Sequence, residues 1–245
     1  MTLVPLALGA AAVLAQIVYP LAPSDPLTVV IVLLFAAANV THASVVRGGR
    51  YAAGLVALAA GGGFAVEAVG VATGFPFGSY AYGDSLGPRL LGVPLVVPLA
   101  WVMMAYPAYV AAARLTARPL PRALVAGWAM AAWDLFLDPQ MVAAGHWGWT
   151  DVGATVPGIP DVPAGNFLAW FAVGVAMAAG LDRLPRRPPR RGSAADRLPI
   201  ALYLWAYASS LLAHLAFFGR PTVALAGGLG MGVVAIGLLR RWRVA

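Results

Sequence analysis

The feature that most constrains this chain is a succession of apolar runs, each about as long as a bilayer is thick. A helix needs about 20 apolar residues to cross the hydrocarbon layer. With Pro, Gly and Arg as boundaries, the sequence predicts eight such helices, at residues 3–22, 27–46, 51–73, 91–114, 122–139, 165–182, 198–218 and 221–240. Hydrophobic residues make up 61% of the chain and charged residues 10%, unlike a soluble domain. We therefore predict an all-α, polytopic helical bundle, a single membrane domain over residues 1–245.

The basic residues predict how these helices are oriented. All 16 are arginine, and with the N-terminus inside, 14 of them fall in cytoplasmic segments while only Arg89 and Arg220 lie on the opposite side. Arginine is enriched in cytoplasmic loops, so we predict a multi-pass protein of the cell membrane with both termini cytoplasmic. The Arg- and Pro-rich segment 182–197 is predicted to be a flexible cytoplasmic loop at the lipid surface. The net charge of +7 indicates the lipid bilayer as partner and no nucleic acid.

Polar side chains within the predicted spans mark a candidate site. A charge near the membrane centre costs about 3 kcal/mol and usually indicates a functional interior. Glu67 lies in the outer half of the third span, and Asp134 and Asp138 lie in the outer half of the fifth, where i,i+4 spacing puts both on one face. Asn166 opens the sixth span and His214 lies near the outer end of the seventh. We expect these groups to meet at one depth.

Two outer loops, 74–90 and 140–164, lie above that depth and are dense in Gly, Pro and aromatic residues. We expect a pocket open sideways to lipid and capped by loop side chains, namely Tyr80, Tyr82, His146, Trp147 and Trp149. Alternatives remain open. The tryptophans could form an interfacial belt, His214 could bond between helices, and Asp138, next to Pro139, could lie at a frayed, solvated helix end.

The residue inventory narrows the chemistry. Three histidines and no cysteine do not supply a multi-histidine di-iron site, a thiolate enzyme or a metalloprotease. The Asp134–Asp138 pair as a prenyltransferase motif is a minor alternative, because no basic residue nearby would hold diphosphate. What remains is carboxylic-acid chemistry in an apolar site, where low dielectric favours the protonated acid. Such an acid could protonate an alkene, and aromatic faces could stabilise the resulting cation.

A second carboxylate could then deprotonate either an attacking water or a neighbouring carbon. The first outcome is hydration and the second is cyclisation or isomerisation. Neither requires a metal or another cofactor.

Four stretches resemble the bacterial and archaeal carotenoid biosynthesis membrane family, whose characterised members include carotenoid hydratases. They are FPFGSYAYGDSLGPRLLGVPLVVPLAW (75–101), WDLFLDPQM (133–141), GHWGW (145–149) and GIP…NFLAWF (158–171), within a resemblance that covers residues 60–180. It implies a lipophilic carotenoid substrate, addition of water to a terminal C=C, and other carotenoid-pathway membrane enzymes as candidate partners. On the matching motifs, the resemblance adds Asp84 and Trp101 to the candidate substrate-binding residues and includes Asn166.

The leading hypothesis is a carotenoid end-group hydratase, a hydro-lyase. Asp134 is the proposed general acid, and Glu67 or Asp138 is the partner that orients or deprotonates water. Four aromatic residues would line the pocket and stabilise the cation, namely Tyr80, Tyr82, Trp133 and Trp147. The alternatives are a carotenoid or isoprenoid cyclase or isomerase that uses the same acid, and a non-enzymatic transporter or lipid-binding protein whose carboxyl groups bind protons.

Overall fold

A computed structural model describes residues 3–187 and 194–242. In these residues the chain forms eight long helices: α1 (Leu3–Val18), α2 (Asp25–Arg47), α3 (Gly49–Thr73), α4 (Val97–Leu115), α5 (Pro119–Ala143), α6 (Ala164–Arg183), α7 (Arg197–Ala216) and α8 (Pro221–Trp242). Six short strands lie in the loops: β1 (Tyr80–Tyr82), β2 (Arg89–Leu90), β3 (Val93–Pro94), β4 (Trp147–Trp149), β5 (Thr155–Val156) and β6 (Ile159–Pro163). They pair as β1–β4, β2–β3 and β5–β6, all antiparallel.

The eight predicted helical segments are confirmed, with changes at their ends. Helix α4 begins at Val97 rather than at residue 91, because Leu91 and Gly92 adopt positive φ values of 50° and 80° and form the turn between β2 and β3. Helix α5 extends beyond both predicted ends, starting at Pro119 and continuing past Pro139 to Ala143. A proline in the first turn fits a helix start, since its missing N–H would have no intrahelical acceptor there.

Five of the helices are long and apolar enough to cross a membrane: α2, α3, α6, α7 and α8. Helix α1 is shorter, and α4 and α5 are not among the five. Helix α4 packs against all the helices from α2 to α8 and is buried along most of its length. A helix surrounded by other helices contacts little lipid, so it can carry Tyr and Pro without exposing them to hydrocarbon. This is the architecture of a helical membrane protein.

The two ends of the bundle differ in chemistry. At the end that we call the arginine end, Arg47 pairs with Asp196 at 2.9 Å, Arg122 pairs with Asp182, and Arg241 donates to the carbonyl of Arg114. At the opposite end, the loop end, the N–H of Gly83 donates to the carbonyl of His146 at 2.8 Å. The contacts at the arginine end join the last residues of α2, α4, α6 and α8 to the first residues of α5 and to the residue before α7. Successive helices from α2 to α8 therefore run in opposite directions, as the charge distribution predicts.

The described part of segment 182–197 is attached to the arginine end. The N–H of Arg187 donates to the carbonyl of Arg47 at 2.9 Å, and the ring of His42 bonds the carbonyl of Ala195 at 2.5 Å. Residues 188–193 of the predicted flexible loop lie outside the described residues. The flexibility and the cytoplasmic location of this segment stay predictions.

Small residues allow neighbouring helices to approach closely. Helices α5 and α6 cross where Gly127 meets Gly174; a Cβ on Gly127 would lie 2.7 Å from the carbonyl oxygen of Phe171. Gly228 and Gly232 of α8, which are four residues apart, lie against Leu211 and Tyr207 of α7, and this spacing of small residues permits close helix packing. The tight α5–α6 crossing holds the carboxyl groups of α5 beside α6.

The orientation across the membrane can be measured with single cysteines, because the native chain contains no cysteine. Asp151 is exposed at the loop end and Arg118 is exposed at the arginine end. We expect a membrane-impermeant maleimide to label Asp151→Cys in intact cells, and to label Arg118→Cys only after permeabilisation. Labelling of Arg118→Cys in intact cells would contradict a cytoplasmic arginine end.

Candidate active site

The loop end carries a small two-stranded roof. Strand β1 pairs antiparallel with β4 so that Tyr80 lies opposite Trp149 and Tyr82 lies opposite Trp147. The facing rings are in contact, with centroids 5.9 Å and 5.7 Å apart. The two outer loops predicted to cap the pocket therefore form one aromatic surface above the helices.

Glu67 of α3 lies directly below this roof and accepts three hydrogen bonds. Its Oε2 accepts from the hydroxyl of Tyr80 and, at 2.8 Å, from the hydroxyl of Tyr82. Its Oε1 accepts from the indole Nε1 of Trp101 on α4, at 3.0 Å. The indole N–H is only a donor, and an ionised carboxyl is only an acceptor. Three converging donors thus match Glu67 in its carboxylate form.

Two glycines on the same face of α3 make room for these donors. Gly63 and Gly70 lie four residues before and three residues after Glu67, so the three residues share one face of the helix. A Cβ on Gly63 would lie 2.5 Å from the ring of Trp101, and one on Gly70 would lie 2.8 Å from the hydroxyl of Tyr80. Only a glycine at each position lets both rings reach the carboxyl group.

Asp134 and Asp138 form a second acidic group, held by α6. The side-chain amide of Asn166 donates to Oδ2 of Asp134 at 2.8 Å and to Oδ2 of Asp138 at 2.5 Å. The two carboxyl groups also contact each other. Oδ1 of Asp138 accepts from the indole of Trp147 at 3.0 Å, whereas Oδ1 of Asp134 has no partner. The pair therefore receives fewer donors than its four oxygens could accept.

A largely apolar cavity, which we call the carboxyl cavity, lies next to Glu67 and Asp138. Both carboxyl groups line it, together with Asn166 of α6. Its wall includes seven aromatic residues, namely Phe77, Tyr80, Tyr82, Trp101, Trp147, Trp149 and Trp170. The rings of Trp101 and Trp170 stack 4.1 Å apart at an interplanar angle of 11°. This space combines acidic groups with several aromatic faces.

The structure brings most of the sequence-predicted residues together at this cavity, but divides the aspartates. Asp138 is only 2% exposed, and helix α5 continues beyond it to Ala143. It therefore does not lie at a frayed, solvated helix end. Asp134 is fully buried behind it and does not line the cavity. Of the two aspartates, Asp138 is therefore the one that lines the cavity.

Four other predicted residues lie away from the carboxyl cavity. Asp84 is exposed and pairs with Arg89 at 2.6 Å. The ring of His146 bonds the hydroxyl of Ser85 at 2.6 Å and ties the two outer loops together. His214 bonds the carbonyl of Ser210 within its own helix and packs between two phenylalanines. Trp133 lines a neighbouring space instead.

Two parts of the wall were not selected from the sequence. Trp170 follows Asn166 by one helical turn in the motif NFLAWF, so helical spacing places it on the same face and could have identified it. Thr28, Val29 and Val32 of α2 complete another wall; as ordinary residues of an apolar span, they carry no sequence signal. In the described ranges, no cluster of three or more His, Asp or Glu side chains has the arrangement of a metal site.

These features define a class of protein: a helical membrane protein with an apolar cavity that is lined by aromatic rings and by carboxyl groups from two helices, α3 and α5. Within that class, the chain belongs to the carotenoid biosynthesis protein family, whose model matches residues 27–236. The resemblance seen in the sequence motifs is thus confirmed. The matched region is longer than residues 60–180, since it begins in α2 and ends in α8.

The chain is also similar to the bisanhydrobacterioruberin hydratase of Haloarcula japonica. The two are 34% identical over 116 residues, which is 45% of this chain and 38% of that relative. The matched segment therefore spans well under half the length of the relative. No solved structure matches the chain.

The His146 contact predicts a pH dependence of stability. Burial lowers the pKa of the His146 imidazole below its ordinary 6.5, and Asp25 only partly offsets this. The unfolded chain then binds more protons, so the stabilising contribution is present above that value and is lost as the pH falls below it. We expect His146→Asn, which keeps a polar partner for Ser85, to lose less thermal stability than the wild type between about pH 8 and about pH 5. Equal losses, measured by thermal unfolding in detergent, would contradict this role.

Proposed function

We propose that this protein is a carotenoid hydratase of the cell membrane, which adds water across the terminal C=C of an acyclic carotenoid end group. The observation that carries this proposal is the pair of unlike acidic groups that α3 and α5 contribute to the lining of one aromatic cavity. Glu67 is surrounded by three donors, while Asp138 shares one amide with Asp134.

The hydrogen bonds argue for different protonation states on the two walls. Two carboxyl groups in contact and away from water repel each other if both are ionised, so such a pair retains one proton. Asp134 and Asp138 meet this condition, since they are 0% and 2% exposed. Glu67 has donors for both of its oxygens and needs no proton. The cavity then presents an acid on one wall and a base on the other.

Hydration follows from that arrangement. The aspartate pair gives its proton, through Asp138, to the less substituted carbon of the terminal double bond. This leaves positive charge on the more substituted carbon. Water bonds to that carbon through its oxygen and passes a proton to Glu67. The sum is the addition of one water to give a tertiary alcohol, and the cycle closes when the proton returns from Glu67 to the aspartate pair.

The aromatic wall supports the step in which positive charge develops. An aromatic face attracts a cation by about 2 kcal/mol or more in a desolvated site. The cavity is lined by three uncharged aromatic rings that can serve this purpose, those of Trp101, Trp170 and Phe77. The carboxylate of Glu67, on the same side of the cavity as Trp101, adds electrostatic attraction for the cation.

The comparisons support the substrate class. Membership of the carotenoid biosynthesis family fits a lipophilic polyene, and the partly matching relative is named as a hydratase. We accordingly propose a hydro-lyase with eight membrane-spanning helices and both termini in the cytoplasm. The loop end would then face outward, with the cavity in the outer half of the bilayer.

Expression in a host that accumulates an acyclic carotenoid tests the reaction. We expect pigment mass spectra to show a product heavier by one water. Asp138→Asn and Glu67→Gln are each expected to lower its formation by at least about 100-fold, because each removes one acid–base group. Asp134→Asn is expected to retain more activity than Asp138→Asn, since Asp134 does not reach the cavity.

Asp84→Asn is the matched control, because it removes an exposed carboxyl group of the same outer loops and should leave the yield unchanged. A product of unchanged mass with altered absorption would indicate cyclisation or isomerisation instead of hydration. Normal hydration by folded Asp138→Asn or Glu67→Gln would refute the assigned roles.

A further inference from the structure

A second cavity, which we call the side cavity, adjoins the carboxyl cavity. Its walls come from the loop-end halves of α1, α2, α4, α5 and α7. Five residues line both cavities, namely Thr28, Val32, Ala100, Leu137 and Met141. The two spaces are therefore neighbours that share side chains from α2, α4 and α5.

The side cavity is suited to an apolar, unsaturated chain. Its wall includes four aromatic residues from α5 and from the segments that follow α1 and α7, namely Tyr19, Trp133, Phe136 and Phe218. Among the described residues that line it there is no Asp, Glu or Arg. Its polar residues are uncharged and include Gln16, Thr28, Gln140, Ser209 and Ser210. Gln16 is already engaged, since its Oε1 accepts from the indole of Trp205 at 2.6 Å. Such a wall favours contacts with a π-system over those with a charged or strongly polar ligand.

We propose that the side cavity binds the conjugated polyene segment next to the reacting end group, an inference that rests on the proposed function. An end group held between Glu67 and Asp138 leaves a long, stiff chain that must continue away from both acidic walls. In this arrangement the chain passes from the carboxyl cavity into the side cavity beside the five shared residues. The side cavity then adds binding only for substrates long enough to reach it.

Helix α1 and the turn after it supply a distinct part of this wall. Gln16, Tyr19 and Pro20 line the side cavity, and all three precede the residues 27–236 that match the family model. The carboxyl cavity, by contrast, is built entirely from matched residues. The side cavity is therefore lined partly by residues inside the family match and partly by residues outside it. The part outside the match is suited to a role in selecting among substrates.

A small-to-large substitution separates the two cavities. Ala213 of α7 lines the side cavity but not the carboxyl cavity, so Ala213→Phe fills only the former. Two alkenes are compared: a full-length acyclic carotenoid, and a short acyclic terpene with the same end group that fits the carboxyl cavity alone. We expect Ala213→Phe to lower carotenoid hydration by at least about tenfold and to leave hydration of the short terpene within about twofold. Ala208→Phe, at an exposed position of the same helix, should leave both unchanged.

Binding supplies a readout that does not need turnover. A carotenoid bound in a chiral site acquires circular dichroism in its visible band. We expect this signal with Glu67→Gln protein and its loss when Ala213→Phe is added. If the wild type hydrates neither alkene but the signal still depends on Ala213, the proposed function fails while the polyene site stands.

Equal effects of Ala213→Phe and Ala208→Phe on carotenoid hydration and binding would overturn the polyene site, as would a wild type that binds no carotenoid. Equal loss of both alkenes in Ala213→Phe would also overturn it. If Ala213→Phe does not fold, Ser210→Leu, which adds bulk to the same wall, takes its place with the same expected results.

Discussion

The site depends on one constraint: three carboxyl groups lie inside an apolar bundle, and each needs hydrogen-bond donors there. A buried polar group without a partner costs about 1–3 kcal/mol, and a charged one costs more. The donors that meet this need come from far along the chain: Trp101 of α4, Asn166 of α6, and Tyr82 and Trp147 of the roof. These bonds tie four helices and both outer loops to one position. The same contacts that offset the cost of burial therefore fix the geometry of the cavity.

The distribution of donors is uneven, and the proposed chemistry follows from that difference. Glu67 receives three, while Asp134 has one oxygen with none. An apolar medium amplifies such differences, because no water is present to compensate. One wall can then hold a proton that the other wall lacks. Neighbouring aromatic faces allow the charge to develop without a polar solvent.

Much of this arrangement could be predicted from the sequence, since it follows from helical periodicity and charge. The spans, the arginine end, and the meeting of Glu67, Asp138 and Asn166 at one depth all have local signals. The order of the two aspartates does not, because i,i+4 spacing puts both on one face and only the packing of α6 decides which faces the cavity. The pairing of Tyr82 with Trp147 joins distant loops without a local pattern. His214 shares the depth of the site but turns towards Phe136 and Phe218, since depth alone does not determine direction.

Infrared spectroscopy of the carboxyl C=O stretch tests the central claim that the two walls differ in protonation. At neutral pH, purified wild-type protein should show a protonated-carboxyl band that shifts in heavy water. This band should vanish when both Asp134→Asn and Asp138→Asn are introduced, and it should persist in Glu67→Gln. A band that is lost in Glu67→Gln and kept in the double aspartate variant would place the proton on Glu67 and contradict the account.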